Sequence, residues 1–157
     1  MIRNEREYRE AQRRIKELEQ RMAEDKRGLE SSKLGKAKVR YGLNPMRTFH
    51  QGLVEEAKAY ERLKAGHLPA LASLEGLGRF LVEARIASGV SQRDLAGRLG
   101  VHESQVSHDE NDDYHGITVA RAERILAALG VGLRGQPVRL REPRRRGATA
   151  HLQEKRA

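Results

Sequence analysis

The residues from Gln92 to Asn111 constrain this fold more than any other stretch of the chain. They read QRDLAGRLGVHESQVSHDEN, with Leu95, Leu99, Val101 and Val106 at inward positions. The small Ala96 falls where two helices must cross closely, and Gly100 falls where the backbone must turn with positive φ. The surroundings extend the pattern. Leu74, Leu77, Leu81 and Ala84 share one helical face, which Ser88 and Gly89 end. Ser91 caps a helix from Gln92 to Leu99, and a third short helix runs from about His102 to His108 or slightly beyond. Thr118 caps a fourth, which carries Val119, Ala122, Ile125, Leu126 and Leu129 before Gly130.

Composition agrees with a helical reading. Among 157 residues there are two Phe, four Tyr and no Trp, so the core is aliphatic and suits helices packed on helices. This length fits one domain, or one small domain with appendages. Zero cysteines exclude disulfides, thiolate nucleophiles and Cys-based zinc sites. The start of the chain is charged from Arg3 onward, and no apolar run approaches the roughly 18 residues of a membrane span. A cytoplasmic protein with no membrane partner is expected. The net charge of +9 favours polyanions, with nucleic acid first among them.

Residues 1–70 read as a helical interaction or dimerisation region, the alternative being a passive extension of the following core. Asn4 with Glu7 three residues on resembles a capping box, and Tyr8, Ile15, Met22 and Leu29 then recur every seven residues. Gly28, Ser31, Ser32 and Gly35 mark a turn, and Asn44 with Pro45 opens a second helix. Its apolar face carries Met46, Phe49, Leu53, Ala57, Tyr60 and Leu63, and Gly66 with Pro69 closes it. The two stripes pair with each other or with a second copy. At the other end, residues 135–157 read as a basic, largely disordered tail, apart from a possible short strand over 136–140. From Arg134 onward there are seven Arg and one Lys against Glu142 and Glu154. Arg144, Arg145 and Arg146 are the tail's candidates for phosphate contact, the alternative being a solvated extension.

The spacing from Gln92 to Asn111 is that of a helix-turn-helix. With the phrase LVEARIASGVSQRDLAGRLGV before it, the segment from Leu77 to Leu133 resembles the Cro/repressor (Xre) family, over about a third of the chain. The expected fold is all-α: a long N-terminal helical pair, a compact four- to five-helix domain over 71–134, and the tail. The resemblance implies that Gln92 touches a phosphate, that the helix from His102 enters the major groove, and that Arg85 pairs with Glu110 to brace the first helix against the third. It places His102, Glu103, Ser104, Gln105 and His108 at base edges, where Gln matches adenine, Glu accepts from cytosine N4 and Ser bonds several edges. Arg93, Arg98 and Ser107 join Gln92 as phosphate candidates.

Two features depart from that pattern. Asp109 stands where an apolar residue is usual, so the helix must end early, or Asp109 must point outward or find a cation such as Arg79 or Arg124. Residues 102–116 also carry Glu103, Asp109, Glu110, Asp112 and Asp113 without one Lys or Arg, a local charge of −5 that repels phosphate. The strings IRNEREYREAQRRIKELEQRM and EEAKAYERLKAG resemble the start of HigA-type antitoxins. That resemblance implies a protein that represses its own operon and neutralises a RelE-like ribonuclease toxin, and the helix-turn-helix reading adds a homodimer on a palindromic operator. The alternative is a protein-interaction module with weak or no DNA binding; RNA binding lacks stacking aromatics. Gly130, Gly132 and Gly135 follow a helix rather than a strand, which rules out a dinucleotide loop. His102 and His108 lie about 600° apart around a helix and do not share a metal. Ser104 and His108 lack a third catalytic member, so no enzyme, cofactor or metal site is expected.

Overall fold

The computed structural model describes residues 1–31, 36–136 and 138, apart from the side chains of Glu30 and of 36–40. These residues form six α-helices and one short 3₁₀ turn, with no strand among them. The fold is all-α, as the aliphatic core and helical spacing require. Helices α1 (Glu5–Ser31) and α2 (Lys36–Lys64) make an antiparallel hairpin. Helices α3 (Leu77–Ala87), α4 (Gln92–Leu99), α5 (Glu103–Asn111) and α6 (Val119–Leu129) form a compact bundle beside it. One buried cluster runs from Ile2 and Ala11 through Tyr60 and Leu63 to Phe80, Leu81, Leu95 and Ile125.

The start of α1 follows the local chemistry. Asn4 Oδ1 accepts the Glu7 N–H at 2.9 Å. The Glu7 carboxylate reaches back past the cap, accepting from Asn4 Nδ2 at 2.8 Å and from the Arg3 N–H at 2.9 Å. The hairpin is then closed by rings. Tyr8 stacks on Tyr60 with centroids 5.1 Å apart, and its hydroxyl donates to the Glu61 carboxylate.

Four sequence expectations need correction here. Helix α2 does not open at Asn44–Pro45 but begins at Lys36 and carries Pro45 in its interior. An interior proline forfeits one backbone bond and costs about 3 kcal/mol. The packing of α2 on α1 offsets that cost; Leu43 just upstream is buried, while Asn44 and Pro45 stay exposed. Phe49 does not enter the core. It is 50% exposed and lies beneath the Arg14 guanidinium, 5.9 Å from the ring centroid. Leu74 belongs to the 3₁₀ turn rather than to the α3 face, and is 75% exposed. The expected strand over 136–140 is absent at Gln136 and Val138; the other three residues lie outside the described ones.

Helix α3 is pressed close to the loop after α5. A Cβ at Gly78 would stand 1.8 Å from the Asp113 carbonyl oxygen, so only glycine allows this approach. Tyr114, buried beside it, has its hydroxyl held well above the usual phenol range by desolvation and by the nearby Glu110 carboxylate. The hydrogen bond to Glu61 pushes Tyr8 up to about 12. Both folded values exceed the unfolded value of about 10. The stabilisation is therefore complete below about pH 10 and is lost as pH rises through the folded values. Urea denaturation is expected to show stability falling beyond about pH 10, and Tyr8→Phe to reduce that fall. A pH-independent midpoint up to pH 12 would contradict this.

Candidate nucleic-acid interface

Helix α4 begins with a reciprocal cap: Ser91 Oγ accepts the Asp94 N–H at 3.0 Å, and the Asp94 carboxylate accepts the Ser91 N–H at 3.3 Å. A hydrogen bond from the Ser91 hydroxyl at 2.6 Å, joined by that from the Ser91 N–H, holds the Asp94 carboxyl below the usual carboxylate range. Leu95 and Ala96 bury the inner face of α4. Gly100 then takes φ 70° and ψ 32°, and Val101 N–H bonds the Ala96 carbonyl at 3.0 Å, which turns the chain into α5. Val106 and Glu110 anchor α5 from within, so its opposite face is offered to solvent.

That face brings together most of the expected base-edge residues. His102, Glu103, Ser104 and Gln105 sit side by side at the start of α5, all exposed, with exposed His108 and half-buried Ser107 one turn on. His102 is the cap of α5 rather than its first residue. Its Nδ1 accepts the Ser104 N–H at 3.2 Å, which leaves Nε2 to carry the outward ring proton. Gln105 Nε2 donates to Asp109 Oδ1 at 2.9 Å, one helical turn away. Asp109 Oδ2 is held in turn by Arg121 Nη2 of α6 at 2.5 Å. The cation for Asp109 is therefore Arg121 and neither Arg79 nor Arg124; Arg79 bonds Glu83 at 3.0 Å.

Behind the exposed face lies a buried ion pair. Arg85 Nε and Nη2 grip the two Glu110 carboxylate oxygens at 2.5 and 2.7 Å, with Glu110 fully buried and Arg85 nearly so. Arg85 also donates to the carbonyls of Val90 at 2.9 Å and Arg3 at 2.8 Å. Gln92 Nε2 completes the cluster, donating to Glu110 Oε2 at 2.8 Å. The Gln92 amide expected at a phosphate is thus committed, through its nitrogen, to the interior. Arg98 likewise donates to the Ala128 carbonyl at 2.8 Å, at the end of α6, while Arg93 is exposed. Arg144, Arg145 and Arg146 lie outside the described residues.

Sequence reasoning missed Arg3. Its Nε donates to the Glu110 carbonyl at 2.9 Å and its Nη2 to Asp113 Oδ1 at 3.1 Å, tying the chain start to the end of α5. No local signal announces a contact across 107 residues.

A capped α4, a left-handed glycine turn and an α5 with one buried and one exposed face now stand together. Residues 76–136 match the family model of a helix-turn-helix domain. This helix-turn-helix domain spans the 3₁₀ turn's end through α6 and contains every base-edge candidate. The hairpin of α1 and α2 lies outside the match. No curated protein and no solved structure matches the chain. Among the described residues, no group of His, Asp or Glu could hold a metal ion, and no helix is long and apolar enough to cross a membrane.

Proposed function

We propose that the protein is a cytoplasmic transcriptional regulator that reads duplex DNA through the exposed face of α5. One observation carries this reading. Of the five carboxylates between residues 102 and 116, three are matched by cations from other elements: Glu110 by Arg85, Asp109 by Arg121 and Asp113 by Arg3. The −5 charge that argued against phosphate contact is therefore largely compensated in the folded protein. Gln105 is oriented by its bond to Asp109, and its carbonyl oxygen and second amide hydrogen remain for the N6 and N7 edge of adenine. A homodimer would place two such faces on a palindrome with half-sites about 34–36 Å apart.

Fluorescence anisotropy against a labelled duplex from the protein's own upstream region, with a scrambled duplex alongside, tests the reading. A preference for the upstream duplex that persists from 50 to 200 mM salt is expected; equal binding to both that vanishes with salt would refute sequence reading. Gln105→Ala is expected to narrow the difference between the two duplexes by about 1–3 kcal/mol. An unchanged ratio would remove Gln105 from the base edge. Deleting residues 135–157 is expected to weaken binding to both duplexes alike and to flatten the salt dependence. An unchanged slope would make the tail a solvated extension.

The hairpin favours an additional, protein-directed role. Tyr41 is 80% exposed and Phe49 50% exposed on α2, aromatic surface that a partner could cover. Together with the antitoxin-like N-terminal strings, this supports autorepression coupled to capture of a RelE-like toxin. Co-purification with the product of the adjacent gene, abolished by Tyr41→Ser with Phe49→Ser, is the expected result. Retention of that partner by the double variant would place its site elsewhere.

A further inference from the structure

A cleft of about 780 Å³ separates the base of the N-terminal hairpin from the start of the helix-turn-helix. Arg6 and Lys64 stand on the hairpin side; Ser91, Gln92, His102 and Ser104 stand on the other. The cleft thus adjoins the α5 turn that carries the base-edge candidates.

The cations around it are mostly committed. Arg3 holds the Glu110 carbonyl and Asp113, Arg85 holds the Glu110 carboxylate, and Lys64 bonds Glu5 at 2.8 Å. Arg6 is exposed and, among the described arginines and lysines lining the cleft, is the one that makes no hydrogen bond or ion pair. Of the two carboxylates in the lining, Glu5 is taken up by Lys64, which leaves Glu103. A helix lying in a major groove about 12 Å wide has a phosphodiester strand along each side of it. A cleft beside the first turn of α5, with the outward Nε2–H of His102 on one wall and an unmatched guanidinium on the other, has donors that such a strand accepts from.

We propose that the N-terminal hairpin forms the second wall of the DNA-binding cleft, with Arg6 contacting the phosphate backbone where the strand passes the start of α4. The inference rests on α5 being the DNA-reading helix, and it gives residues 1–64 a direct share in affinity. Arg6 lies in the first turn of α1, so the hairpin must keep its docked position for the contact to form.

The test uses the full chain with the upstream and scrambled duplexes, titrated at several salt concentrations. One phosphate contact contributes a slope of about 0.9 in log K against log salt, or about eightfold in affinity at 0.1 M relative to 1 M. Arg6→Ala is expected to lower the slope by about one and to weaken both duplexes by about that factor, with their ratio preserved. Arg6→Glu should weaken both further, and Arg6→Lys should restore the slope. Arg21→Glu is the control: it makes the same charge change about 22 Å further along α1, beyond the Debye length of about 10 Å at 0.1 M, and should leave binding unchanged. If the parent prefers its upstream duplex and the Arg6→Ala and Arg6→Glu variants match it in slope, the cleft inference fails and the DNA reading stands. An Arg21→Glu effect equal to that of Arg6→Glu also overturns it, since net charge alone would then account for the loss. If the parent binds neither duplex, both readings fail together.

Discussion

Glu110→Ala is expected to destabilise the fold by about 3–5 kcal/mol, because it leaves the buried Arg85 guanidinium without its carboxylate. The two carbonyls that Arg85 also holds, those of Val90 and Arg3, accept hydrogen bonds but carry no full charge. Gln92 loses its acceptor in the same substitution, which adds a second unpaired group. Glu110→Gln keeps the volume and one acceptor for Arg85, so its loss should fall between those of the parent and the alanine variant. Urea denaturation of the three proteins at one pH measures this directly. A cost for Glu110→Ala below about 1 kcal/mol would show that the pair is a passive occupant of the interior.

Gly78→Ala is expected to cost about 3 kcal/mol, although alanine is the better helix residue by about 0.5–1 kcal/mol. The opposing factor is the Asp113 carbonyl, which is backbone and cannot swing aside as a side chain would. Either α3 or the loop after α5 must shift, and that loop carries Asp113, the partner of Arg3. Gly52→Ala, in the interior of α2 with nothing within 4 Å of the added methyl, isolates the helix-propensity part and is expected to be neutral or slightly stabilising. Thermal unfolding of both variants separates the two effects. If Gly78→Ala stabilises to the same degree as Gly52→Ala, the close approach of α3 to the loop is not maintained in solution.

What could be read from the residues alone follows the range of the interactions. The ends of α4 and α6 were legible because Ser91, Gly100, Thr118 and Gly130 act on backbone groups within a few residues. On α5 the spacing put Val106 inside, while the outward positions of Gln105 and His108 and the pairing of Glu110 with Arg85 followed from the family resemblance rather than from the helical period. The start of α2 was not legible. The local rule for Asn44–Pro45 gave way to packing on α1, which no local rule contains. Asp109 illustrates the boundary between the two cases. Its need for a cation followed from chemistry, yet choosing among arginines depends on where α6 lies, and Arg121 is one turn before the expected Arg124. Gln92 and Arg98 have side chains that could reach a phosphate or turn inward, and only the folded surroundings show their nitrogens engaged at Glu110 and Ala128.

The bond from Arg3 to the end of α5 also sets an order of events during synthesis. The contacts between α1 and α2 have both their sides once residue 64 is made, whereas Arg3 must wait for Glu110 and Asp113, 107 and 110 residues later. At about 5–20 residues per second, a ribosome takes about 5–20 s to cover that distance. Joining segments so far apart in the chain carries a loop-closure entropy that local pairing of α1 with α2 avoids. Pairing of α1 with α2 is therefore available before the Arg3 bonds, which close only after α5 has been translated. Contacts acquired that late act chiefly as a brake on unfolding, so weakening Arg3 shortens the lifetime of the native state more than it slows its formation.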